Sequence, residues 1–215
     1  AGDTSGNRRI CERAMEATLW FSVAAGGLIA AFAMPLSEAV YGYREAGVYL
    51  ALLAPVIPVM YLDHVTDMML KGLGRQVYAM GVNILDSLGS ILLVLLLLPS
   101  LGAVGYVYVI LIAEIFNFSL SYAGLRTALP FRFPLLRGVL FPLAALLPAV
   151  TLVRRLPLPE GGFGLVLSCL LSLLLYALLL FLFLAFSEKK VSKREKAAPV
   201  PLDRRVAFGY NKRVE

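Results

Sequence analysis

Residues 170–186 read LLSLLLYALLLFLFLAF, seventeen positions without a single charge. A helix at the surface of a soluble protein shows one apolar stripe, whereas this stretch is apolar all round and needs an apolar environment on every side. A membrane core roughly 30 Å thick is crossed by about 20 such residues. ILLVLLLL at 91–98 makes the same demand. Working outward from these two, the pattern predicts six spanning helices at about 17–37, 47–70, 77–98, 104–125, 135–153 and 163–186. Helices are expected because lipid-exposed backbone must satisfy its own hydrogen bonds, which an open sheet cannot do. The expected fold is therefore all-α, a polytopic transmembrane bundle.

Composition excludes the soluble alternative. Of the 215 residues 60% are hydrophobic and 16% charged, with a mean hydropathy of +0.80; soluble domains carry about 25% charged residues. The expected connections, YGYREAG, KGLGR, PSLGAVG, PFRFP and RLPLPEGG, are short and rich in turn residues. Pro55 and Pro58 should kink the second helix, and Pro142 and Pro148 the fifth. The chain opens AGDTSG, without methionine or the pattern of a signal peptide, which leads us to expect a piece of a longer protein.

Charge predicts orientation. Seventeen of the 20 Lys and Arg residues fall in segment 1–16, in the turns around Lys71–Arg75 and Arg126–Arg137, and after residue 186; only Arg44, Arg154 and Arg155 fall on the other side. The positive-inside rule then puts both termini in the cytoplasm, at a cell membrane. The tail at 187–215 holds nine basic and four acidic residues and is expected to be disordered, lying against anionic lipid. It resembles no nucleic-acid module. Cys11 and Cys169 lie far apart, and with a single histidine no metal spacing and no cofactor motif is present. No nucleophile has a histidine partner at a recognisable spacing, so no catalytic residue is expected, and the enzyme reading ranks last.

The informative residues are polar groups within the apolar segments, where they are expensive and usually face an interior or a cavity. Asp86 falls about 14 Å and Glu114 about 15 Å from the nearer end of its span at 1.5 Å per residue. Asn83, Asp86, Ser87 and Ser90 share one helical face, and Glu114, Asn117 and Ser121 another. Asp86, Glu114, Asn117 and Asn83 are accordingly the candidates for a substrate or ion site. The competing reading is a helix–helix hydrogen bond, worth about 0.6 kcal/mol in a membrane. Asp63, His64, Asp67 and Lys71 fall near the end of the second span and are candidates for a gating or structural role, with an Asp67–Lys71 pair expected at i, i+4.

Four stretches carry a resemblance: MPLSEAVYG (34–42), LAPVIPVMYLDHVTDMMLKGLGRQVY (53–78), NILDSLGSILLVLLLLPSLGAVGY (83–106) and EIFNFSLSYAGL (114–125). Over about residues 10 to 126 the chain resembles the stage V sporulation protein B-like branch of the polysaccharide and lipid-linked oligosaccharide flippases. That branch shares a superfamily with the multidrug and toxin extrusion transporters and the lipid II flippases. The resemblance implies a two-lobed transporter of alternating access, of which this chain is similar to the C-terminal portion, with an N-terminal lobe as its partner. It implies a lipid-linked sugar or peptidoglycan precursor as substrate. Pyrophosphate-linked substrates call for Arg or Lys in the cavity, whereas the mid-span groups here are acidic, which casts them as interlobe or coupling-ion residues. An ion-coupled exporter of organic cations and a non-transporting membrane scaffold are the alternatives.

Overall fold

The computed structural model describes residues 4–131, 133–159 and 161–197, and every element among them is helical. In chain order these are α1 (Thr4–Tyr41), α2 (Ala46–Leu53), a 3₁₀ turn (Ala54–Val56), α3 (Ile57–Gly72), α4 (Gln76–Ala128), a π-turn (Leu135–Leu140), α5 (Phe141–Val153) and α6 (Gly162–Ala197). Among the described residues five helical stretches are long and apolar enough to cross a membrane, with α2 and α3 counted as one and the π-turn counted with α5. The chain is built as a multi-pass membrane protein.

Two expected spans, 77–98 and 104–125, are not separated by a loop. They form one helical run of 53 residues, interrupted only at Gly102. Its φ of 58° and ψ of −139° lie where side-chain-bearing residues rarely go. The run doubles back there. The Tyr78 hydroxyl donates to the Leu120 carbonyl at 2.9 Å, and Arg75 Nη1 donates to Thr127 Oγ1 at 2.9 Å. In a straight helix, 42 residues would separate the first pair by about 63 Å. The arms 76–101 and 103–128 therefore lie side by side. PSLGAVG is a helical corner, because Pro99 and Gly102 suffice to turn the chain without unwinding the rest.

The second expected helix is divided where its prolines stand, with the 3₁₀ turn at Ala54–Val56 linking α2 to α3. The fifth is different. Pro142 directly follows the π-turn within one continuous helical stretch, and the irregularity falls in the turn before it, where its missing N–H removes a partner. α1 bends at Phe32, whose φ of −110° and ψ of 19° are non-helical, one turn before Pro35, a proline not weighed among the expected kinks. Two further boundaries differ. Helix begins at Thr4 within the expected N-terminal segment, and α6 runs to Ala197, so residues 187–197 are helical where a disordered tail was expected. The remainder of that tail lies outside the described residues.

α1 is the hub. With α5 and α6 it encloses a core of Val23, Ala24, Ala145, Leu146, Ala149, Val150, Tyr176 and Leu180. With α3, α4 and Phe131 it encloses a second, of Met15, Leu19, Leu62, Leu70, Ala79 and Leu125. The alanines let backbones approach closely, which is what drives helix association when lipid is as apolar as the side chains. Tyr176 on α6 donates its hydroxyl to the Trp20 carbonyl at 2.6 Å, and Trp20 Nε1 donates to the Arg137 carbonyl at 3.0 Å. α4 packs chiefly on α3, on the far side of the molecule from α5 and α6.

Candidate functional site

The α3–α4 connection fixes the site. Gly74, at φ +76°, closes α3 with paired backbone bonds, Gly74 N to Lys71 O at 3.0 Å and Arg75 N to Leu70 O at 2.9 Å. This left-handed cap reverses the chain in three residues. α3 and the first arm of α4 are then antiparallel, so residues equally far from Gly74 lie at equal depth. Asp63 is eleven residues before Gly74 and Asp86 twelve after. The fold-back at Gly102 brings the second arm, with Glu114, Asn117 and Ser121, to the same level.

The result is one polar cluster on three helical segments. Asn117 Nδ2 donates to Asp63 Oδ2 at 2.8 Å, and the Ser121 hydroxyl, almost wholly buried, lies against the same carboxyl. Asp86 lies within electrostatic reach of both Asp63 and Glu114, and Glu114 within reach of Asp63. All four of Asp63, Asp86, Glu114 and Asn117 are half-buried. Asp63 Oδ1, Asp86 Oδ1 and Asn117 Oδ1 are buried acceptors without a protein donor among the described residues. Burying such groups unpaired is costly, and each calls for a donor or a cation. Asp86 also opens on a groove of 290 Å³ between the two arms, otherwise lined by Gly89, Ser90, Leu92, Leu93, Ile112, Ala113 and Phe116. Chemically, the arrangement can take up a proton or a monovalent cation, or grip a cationic group. Among the described residues, no three His, Cys, Asp or Glu side chains are placed to hold a metal ion.

The sequence candidates thus regroup. Asp86, Glu114 and Asn117 come together. Asn83 does not join them: it is exposed, and with Ser87 and Lys71 it lines a separate groove. The expected single face of Asn83, Asp86, Ser87 and Ser90 is split, because the second arm covers only the Asp86–Ser90 edge. Asp67 pairs with Lys71 at 2.6 Å, as the spacing predicts. His64 is exposed, and none of the described residues hydrogen-bonds its ring. Asp63, read from sequence as an end-of-helix group, belongs to the deep cluster. Counting from the tight turn at Gly74, rather than from the span ends, was the signal that would have found it.

No family model, no curated protein and no solved structure matches this chain.

Proposed function

We propose that this chain is part of a membrane transporter, a flippase that moves a lipid-linked oligosaccharide or peptidoglycan precursor across the cytoplasmic membrane by alternating access. The substrate class comes from the family resemblance of the four sequence stretches. In this reading the arms of α4 count as two spans, giving six, and both termini are cytoplasmic. The observation that carries a transport role is the Asp63–Asp86–Glu114–Asn117 cluster. An otherwise apolar bundle would not retain three carboxylates at one level for packing alone, since each is expensive to bury. We assign the cluster to the coupling step, in which loading and release of a proton or monovalent cation biases the two access states.

The same acidity favours a second reading, an ion-coupled exporter of organic cations, whose substrates the carboxylates would grip directly. Complementation separates the two. The gene encoding this chain is expressed in a strain lacking its lipid-linked precursor flippase, as wild type and with Asp63→Asn, Asp86→Asn and Glu114→Gln combined. Rescue by the wild type that the inserted triple variant loses supports the flippase with a working cluster. Rescue by both reduces the cluster to packing. Absence of rescue, with acquired resistance to cationic dyes, replaces the flippase by the exporter.

A further inference from the structure

A second feature lies where α1 meets both α3 and α5. Leu19, Val23, Gly26, Gly27 and Ala30 form one wall of an apolar groove of 400 Å³, faced by residues around the 3₁₀ turn and by α5. No charged or hydrogen-bonding side chain lines it. From Leu19 to Ala30 it follows α1 for about 16 Å at 1.5 Å per residue. That is about half of a 30 Å hydrocarbon core, the depth of one leaflet. At its outer edges Ala30, Pro55 and Leu143 are exposed, so the groove is continuous with the apolar surface that faces lipid.

The Leu19 end is charged. Gly138 packs against Leu19, which places the preceding residue, Arg137, at that end, and its carbonyl is held by Trp20 Nε1. The Arg137 side chain is half-buried, and among the described residues its guanidinium has no hydrogen bond and no ion pair within 4 Å. Arg13 is exposed on α1. Glu16 lies within electrostatic reach of both arginines and of Glu12, and Glu12 is paired with Arg8 at 2.9 Å, so three arginines against two glutamates leave one net positive charge. An apolar slot one leaflet deep with a net positive end has the charge and shape of a phospholipid site, in which basic residues between helices hold the headgroup.

We propose that this groove binds one anionic phospholipid of the leaflet on the Arg13–Arg137 side, with its phosphate on Arg137 and Arg13 and an acyl chain along Leu19–Ala30. The proposal rests on the membrane placement of the chain and is independent of what the chain transports. The neck between phosphate and chain is set by the π-turn, which puts Arg137 one residue before the glycine that packs on Leu19.

The chain holds a single tryptophan, Trp20, next to Leu19 and bonded to the Arg137 backbone, so it reports on lipid at the charged end of the groove. The protein is reconstituted in vesicles of phosphatidylcholine into which either brominated phosphatidylglycerol or brominated phosphatidylcholine is titrated, and Trp20 quenching is followed. Phosphatidylglycerol is expected to quench at a mole fraction roughly fivefold lower than phosphatidylcholine, the factor for one effective charge at the membrane surface. Arg137→Gln is expected to remove the preference, Arg137→Lys to retain most of it, and Ala30→Phe, at an exposed lining position, to weaken quenching by both lipids. Equal quenching by the two lipids in the wild type, or a preference that survives Arg137→Gln, overturns the headgroup assignment. Quenching unchanged by Ala30→Phe overturns the placement of the chain.

Discussion

The two sides of α1 solve different problems. On one side α5 and α6 press small residues and aliphatic side chains together, and Ala145 and Ala149 are completely buried. On the other, the α4 hairpin leaves nearly all of its apolar surface uncovered: 6% of its most apolar window is buried, against 39% in α1 and in the α5 segment. Yet the carboxylates are on the exposed side. The close packing is that of α1 and α5, while the α4 hairpin gives up packing and, with α3, holds a polar cluster between antiparallel arms. A protein whose parts must move against each other benefits from that division, because tightly packed interfaces switch between discrete arrangements and do not deform continuously.

Perturbing each half should separate their roles. The largest effect is expected from neutralising Asp63, Asp86 and Glu114 together, which should abolish rescue in the complementation assay while membrane insertion is preserved. Insertion measured by protease accessibility is the control, and loss of insertion in the triple variant would move the cluster into the structural half. Next comes Gly102→Val. A β-branched residue at φ 58° stores about 1–3 kcal/mol of strain. It should lower the yield with which a short thiol cross-linker joins cysteines placed at positions 78 and 120.

In the packed half, Ala149→Leu should destabilise by about 1–3 kcal/mol through overpacking. Leu96→Ala on the lipid-facing side of α4 should stay within about 0.5 kcal/mol. Unfolding in mixed micelles compares the two, and similar losses would erase the contrast. Tyr176→Phe removes a single inter-helix hydrogen bond, for which about 0.6 kcal/mol is expected by the same assay. Lys71→Met belongs at the same low end. Its pair with Asp67 is half-open to solvent on the lysine side, which limits it to about 0.3–0.5 kcal/mol, less at high salt.

What the sequence made legible follows from local physics. Uninterrupted apolar runs such as 170–186 dictate helices in lipid, because no other backbone arrangement satisfies its own polar groups there. The Asp67–Lys71 pair and the turn at Gly74 could be read as well, since both depend on residues within one or two helical turns. Depth within the apolar runs and a shared helical face pointed to Asp86, Glu114 and Asn117 but not to their partner. Asp63 joins them only because Gly74 and Gly102 fold α3 and α4 into antiparallel arms, and matching depth across two reversals is a property of the whole path. Asn83 leaves the cluster for the same reason: the rotation of the first arm against the second decides which edge of a polar face is covered. The π-turn that sets Arg137 beside Leu19 had no local signal either, because an extra residue in a helical turn is stabilised by what packs against it, here Trp20 and Leu19. Sequence alone determined which segments are helical and apolar. Only the tertiary structure decided which of their polar groups meet, since meeting depends on side-chain packing between segments far apart in the chain.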